Sequence, residues 1–222
     1  MTKLTFVFFL AILYSFPILA QNTDLEFWPG AQLNYNFSKE FRFSGEQQLR
    51  LDHLNQNNLH FKTTFTNLAL RYRISKYIRI RANYRFIIRQ TNAGNIRIRQ
   101  RIAGDLLVRY RKKKFPLRFG YRLRYQVLYR GQGRNPRKFI RNKLAITYNA
   151  SKTVGPFVAG ELYYRIRNKP NEFQKYRLLL GLDIRLNKKS DLNLFYLYQR
   201  EINVNNPALD HVIGMGYSYT LP

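Results

Sequence analysis

The chain has 222 residues, enough for one domain, and its 39 Lys and Arg against 12 Asp and Glu give a formal net charge of +27. It contains no cysteine, which excludes disulfides, thiolate metal sites and a lipid-modified cysteine. Such an excess of positive charge suits nucleic acid or another phosphate-rich partner. The basic residues are spread along the whole chain instead of forming one patch, however, which argues against nucleic acid.

The first residues have the pattern of an export signal. Met1-Thr2-Lys3 is basic, residues 4–19 are apolar, and the composition turns polar after Ala20. We therefore predict a signal peptide over residues 1–20 and a mature domain over 21–222. An uncleaved anchor helix is the alternative. No later apolar run is long enough to cross a bilayer as a helix, so membrane insertion would require strands.

Apolar and basic residues alternate with a period of two, most clearly from Ile78 to Phe86. In an extended strand this period places the apolar side chains on one face and the arginines on the other. The alternation predicts an all-β fold, a transmembrane antiparallel up-and-down β-barrel. We assign strands to residues 25–37, 41–51, 59–74, 78–88, 96–110, 117–129, 140–148, 156–166, 176–186, 192–198 and 213–221.

Two irregularities affect the strand assignment. Eleven segments alternate, but bacterial single-chain barrels have even strand numbers, so we predict about twelve strands, with ten as the alternative. A break at Pro29-Gly30 would supply the twelfth. Within residues 59–74 the apolar positions change from odd to even, which predicts a β-bulge near Thr66-Asn67.

Alternation alone does not say which face meets lipid. The apolar faces are almost free of charge, most of the 17 Tyr and 17 Phe lie in strands, and the repeat is one of antiparallel hairpins. These features favour the outer membrane of a Gram-negative bacterium. A soluble periplasmic barrel that binds polyanions or lipid is the alternative. Residues 214–222 resemble the terminal strand recognised during barrel assembly, so the expected partners are membrane lipid, lipopolysaccharide and the barrel-assembly machinery.

Several features resemble the bacterial outer-membrane family catalogued as domain of unknown function 2490. They are Trp28, Glu161 before Tyr163-Tyr164, the strand from Tyr176 to Asp183, and the closing Gly-x-Gly-Tyr-x-Tyr. The resemblance covers nearly all of the mature chain. It implies an outer-membrane barrel and no particular chemistry.

In the membrane orientation the arginines point into the lumen. A ring of guanidinium groups would concentrate small anions and bind phosphate or carboxylate, so we predict an anion-selective pore or an anion-binding protein. The alternative is a closed structural barrel in which these groups pair with the acidic residues Glu46, Asp105, Glu161 and Asp183. The predicted lumen site comprises Arg89, Arg97, Arg99, Arg101, Arg124, Arg141, Lys143, Arg165, Arg167 and Arg177.

An enzymatic role would need a Ser, a His and an acid gathered at one rim. His53 and His60 flank an Asn-rich loop with Asp52 and Glu46 nearby in sequence, and no Ser has a recognisable relation to either His. We therefore predict neither an enzyme nor a cofactor or metal site. A membrane lipid hydrolase or acyltransferase stays open as an alternative.

Overall fold

A computed structural model describes residues 23–52, 60–91, 93–111, 115–131, 133–167 and 171–221, and over these ranges the chain is all β. No helix in these ranges is long and apolar enough to cross a membrane. The eleven strands are β1 (Thr23–Tyr35), β2 (Phe41–Asp52), β3 (His60–Arg73), β4 (Ile78–Gln90), β5 (Ile96–Arg111), β6 (Leu117–Tyr129), β7 (Arg137–Tyr148), β8 (Val154–Ile166), β9 (Glu172–Arg185), β10 (Ser190–Glu201) and β11 (Leu209–Thr220).

The strands form one closed barrel. Each strand pairs antiparallel with the next along the chain, and β1 closes the sheet by pairing parallel with β11, from Thr23 opposite Leu209 to Asn34 opposite Thr220. In an up-and-down meander an odd number of strands makes the first and last run in the same direction, so the closing pair is parallel. The predicted barrel fold is confirmed. The described residues form eleven strands instead of the predicted twelve or ten, because the even-number expectation assumes antiparallel closure.

The predicted break at Pro29-Gly30 is wrong. Strand β1 continues through both residues, since its ladder with β11 is unbroken from residue 23 to residue 34. On the other side the register with β2 passes from Phe27 directly to Gly30. Proline has no backbone N–H to donate, which explains the interruption in the β1–β2 ladder. The β1–β11 ladder is not interrupted.

The bulge in β3 lies closer to its start than predicted. Thr66 and Asn67 pair regularly with Gln47 and Glu46, and the irregularity falls at Lys62, the extra residue between the partners of Arg50 and Leu51. The alternation of inward-facing and outward-facing residues in β3 therefore shifts at Lys62, before Phe65. As a result, Phe65 faces the lumen, where it is 3% exposed, instead of joining the outer apolar face.

The two ends of the barrel differ in their connections. Connections of four or five residues, at 36–40, 74–77, 112–116, 149–153 and 186–189, define the turn end. The loop end has three connections of seven residues, at 53–59, 130–136 and 202–208, and two of five residues, at 91–95 and 167–171. Both β1 and β11 run from the loop end to the turn end.

The outer face of the barrel is a continuous apolar surface. Large side chains halfway along the strands are more than half exposed, including Ile102, Leu144 and Leu180. Aromatic rings lie against one another near both ends, with Phe41 4.7 Å from Tyr72 at the turn end and Tyr164 5.2 Å from Phe173 at the loop end. An apolar band between two aromatic girdles is the surface that a bilayer-spanning barrel presents to lipid.

Candidate functional site

The lumen has two chemically different walls. Near the β1–β11 seam it carries an apolar cluster, in which Trp28, Leu197 and Val212 are buried and Leu179 and Phe195 pack against them. The opposite wall, built by β4–β8, carries basic side chains at about half of its inward-facing positions. The cationic chemistry of the site therefore belongs to this second wall.

Asp105 is one of two carboxylates that organise the basic wall. It is 4% exposed on β5, and neighbouring strands aim three donors at it. Arg124 Nη2 donates at 2.8 Å, Asn83 Nδ2 donates at 3.2 Å, and Arg81 Nη2 lies 2.7 Å away in an ion pair. Two arginines thus share one buried negative charge, which leaves this part of the lumen with net positive charge.

Glu161 organises the wall in the same way from β8. It is 4% exposed, and Arg141 Nη2 donates to both of its carboxylate oxygens at 2.9 Å. Arg122 Nη2 donates to Oε1 at 2.5 Å, and Arg177 Nη1 lies 3.7 Å from Oε2. Three guanidinium groups from three strands meet at one carboxylate.

Other ion pairs link strands that are not neighbours. Arg85 of β4 lies 3.4 Å from Glu46 of β2, and Arg118 of β6 lies 3.3 Å from Asp183 of β9. At the loop end of the seam, Lys62 Nζ lies between three carboxylates, 2.6 Å from Glu26, 3.4 Å from Asp24 and 3.6 Å from Asp52. The acidic side chains of the lumen are thus engaged by the chain's own cations.

Arginines and aromatic rings alternate in a chain of contacts that crosses the seam, which we call the stacked belt. Arg50 lies 3.7 Å from the ring centre of Trp28, and Arg85 lies 3.4 Å from that of Phe65. Such cation–π contacts place guanidinium groups over rings without consuming a carboxylate. In order, the stacked belt consists of Arg85, Phe65, Arg50, Trp28, Arg177, Tyr163 and Arg141.

A further set of lumen-facing cations forms no ion pair within 4 Å of a carboxylate among the described residues, although Lys143 stands opposite Glu161 and Arg165 opposite Glu172 in their ladders. All twelve acidic residues of the chain lie within those ranges, so no acidic side chain is missing from this comparison. Arg101 and Lys143 belong to the set at mid-height. The set also includes Arg71, Arg79 and Arg109 towards the turn end, and Arg89, Arg99, Arg137 and Arg165 at the loop end.

One cavity of about 810 Å³ is lined by all of these cations except Arg165. Its lining reaches from Arg71 and Arg79 near the turn end, past Arg101, to Arg99 and Arg137 at the loop end. The lumen is therefore not filled completely by its side chains. A small anion inside it would meet guanidinium groups along the whole length.

The predicted site residues fall into two groups. Arg124, Arg141, Arg167 and Arg177 are held in ion pairs or hydrogen bonds by the chain itself, as are the acidic residues Glu46, Asp105, Glu161 and Asp183. The others keep their charge without a carboxylate partner in the described ranges; these are Arg89, Arg97, Arg99, Arg101, Lys143 and Arg165.

Sequence reasoning missed the aromatic and apolar part of the lumen. Trp28 shares its parity with Glu26, Gln32 and Asn34 on β1, and Leu197 shares its parity with Gln199 on β10. The parity within each strand, rather than the hydropathy of the residue, was the signal that could have placed them inside.

The three histidines lie away from this wall or outside the described residues. His53 is outside them. His60 Nδ1 lies 3.6 Å from Asp52 at the loop end, and His211 is hydrogen-bonded to the Tyr196 hydroxyl group. The described histidines therefore contribute nothing to the cationic wall.

The structure thus defines the chain as a closed β-barrel with a cationic lumen. The chain belongs to the family described as "Protein of unknown function (DUF2490)", whose match spans residues 25–209, so the predicted family is confirmed. The search of curated proteins finds no match. Among solved structures the chain is similar to the outer-membrane expressed OmpT of Vibrio cholerae, with 9% identity and a TM-score of 0.41. That likeness covers 72% of this chain and 54% of the other, so the chain spans about half the length of that protein.

Proposed function

We propose that this protein is an outer-membrane barrel of a Gram-negative bacterium that admits small anions through its lumen. The observation that carries the proposal is one cavity whose lining includes arginines outside ion pairs, from Arg71 near the turn end to Arg137 at the loop end. Fixed positive charge in a narrow, low-dielectric passage raises the local concentration of anions and excludes cations.

The outer surface supports the membrane part of the proposal. A soluble barrel would expose its arginines and bury Ile102, Leu144 and Leu180, whereas here the arginines are inside and these residues are outside. The partners that follow are membrane lipid, lipopolysaccharide and the barrel-assembly machinery. The proposed activity is passage or binding, and it involves no catalysis.

Arg101 is the residue that tests the proposal most cleanly. It lies at mid-height, it forms no ion pair in the described chain, and its neighbours Arg85, Arg124 and Arg141 are already engaged by carboxylates, amides or rings. Replacing it should therefore remove charge from the lumen without removing an arginine that Asp105 or Glu161 binds.

Chloride and potassium fluxes from proteoliposomes, each read with an entrapped indicator for that ion, provide the measurement. Wild-type protein should release chloride faster than potassium, and Arg101→Gln should lower this ratio about twofold or more. Arg111→Gln, an equal charge change at the exposed turn end of the same strand, is the matched control. Folding of each variant is verified by heat-dependent gel mobility. Equal fluxes of both ions through wild-type barrels would overturn the proposal.

A further inference from the structure

Five arginines gather at the loop end of the basic wall and form what we call the mouth cluster. They come from five consecutive elements, namely β4, β5, the connection after β6, β7 and β8. Arg137 lies in the electrostatic field of Arg99, Arg130 and Arg165, and Arg99 lies in that of Arg89 and Arg130. The members of the mouth cluster are Arg89, Arg99, Arg130, Arg137 and Arg165.

The chain supplies almost no negative charge to the mouth cluster. Glu172 stands opposite Arg165 in the β8–β9 ladder and is held 2.6 Å from Arg167. The other loop-end carboxylates surround Lys62 or, in Glu201, lie 3.7 Å from Lys175 on the far side of the lumen. The mouth cluster therefore keeps several uncompensated charges.

Its hydrogen-bonding capacity is also unused. The Nε–H groups of Arg99, Arg130 and Arg137 are buried and have no hydrogen-bond partner among the described residues. The mouth cluster makes one side-chain hydrogen bond within those residues, from Arg130 Nη2 to the Asn135 carbonyl oxygen at 3.2 Å. A buried donor without an acceptor costs free energy, so an arriving acceptor is favoured by both charge and hydrogen bonding.

The residue type indicates the ligand. All five members are arginine, whose planar fork donates in pairs to phosphate oxygens. A single carboxylate would satisfy one fork, whereas an anion with several phosphoryl groups presents enough oxygens and charge for the whole mouth cluster. We propose that the mouth cluster binds a multiply charged phosphoryl anion, either a free oligophosphate or the phosphates of a lipid headgroup. This inference rests on the proposed anion-admitting lumen.

Binding of radiolabelled tripolyphosphate to the full-length barrel folded in detergent provides the test. Wild-type protein should bind it saturably, and Arg99→Gln/Arg137→Gln should weaken binding about tenfold. The control is Arg73→Gln/Arg111→Gln, which removes the same charge at the turn end and should change affinity less than about twofold. Equal losses in both double variants, or no wild-type binding of tripolyphosphate or lipid A, would overturn the site.

Added lipid A distinguishes the two sources of phosphate. Displacement of tripolyphosphate by lipid A, dependent on Arg99 and Arg137, would assign the mouth cluster to a lipid headgroup, and lack of displacement would assign it to a free anion. Chloride flux measured on the same variants in proteoliposomes separates the two proposals. Binding without chloride flux would support the mouth cluster and contradict conduction, and flux without binding would do the reverse.

Discussion

Two buried carboxylates of the basic wall, Asp105 and Glu161, each hold more than one arginine. Asp105 and Glu161 are both 4% exposed and lie between strands that would otherwise present only like charges to one another. Removing either negative charge leaves two or three guanidinium groups close together in a region of low dielectric constant. We therefore assign these two residues to stability and the unpaired cations to function.

Asp105→Asn should lower the free energy of unfolding by about 3–5 kcal/mol, because Arg81 and Arg124 lose their shared counter-charge. Urea unfolding in lipid vesicles, followed through the single Trp28, would measure the change. Asp191→Asn is the matched control, since Asp191 is exposed and 3.8 Å from the exposed Arg185. It should cost less than about 0.5 kcal/mol. Similar losses in the two variants would contradict the role given to Asp105.

At the scale of the strands, the parallel pairing of β1 with β11 at the seam can be tested directly. Direct parallel pairing of β1 with β11 places Ala31 opposite Tyr217, both on the outer face. A twelfth strand between them would separate these positions by an additional strand spacing. Cross-linking therefore distinguishes eleven strands from twelve.

Ala31→Cys/Tyr217→Cys should form a disulfide under mild oxidation, because paired strands are about 5 Å apart and a disulfide needs Cα atoms closer than about 7 Å. The chain has no native cysteine, so the product is unambiguous. Mobility on a denaturing gel without reductant reports the cross-link. Ala31→Cys/Ile213→Cys, offset by four residues along β11, should stay reduced. Cross-linking of the offset pair in preference to the aligned one would contradict the observed register.

The alternation in the sequence was sufficient to predict the strands and the faces of most residues, because the side-chain period of two depends only on local geometry. Closure and long-range register do not leave a local signal. Nothing near Arg118 indicates that Asp183, 65 residues later, would lie across the lumen from it. Phe65 shows the same limit, since its face depends on a bulge at Lys62.

At the scale of the whole molecule, the distribution of charge is uneven. The basic wall of β4–β8 faces the apolar cluster at the seam, and the stacked belt joins the two. Much of the chain's positive charge thus lines the interior of a closed barrel instead of its outer surface. Charge held there acts on ions that enter the lumen, and salt in the bulk solution screens it only partly.

The reversal potential of single barrels in a planar bilayer, measured across a KCl gradient, tests this account most directly. Barrels whose folding has been verified by gel mobility should give a potential with the sign of the chloride equilibrium potential, because the lumen has unpaired arginines along its length. A potential with the sign of the potassium equilibrium potential, or folded barrels that carry no current, would contradict the proposal that the lumen admits anions.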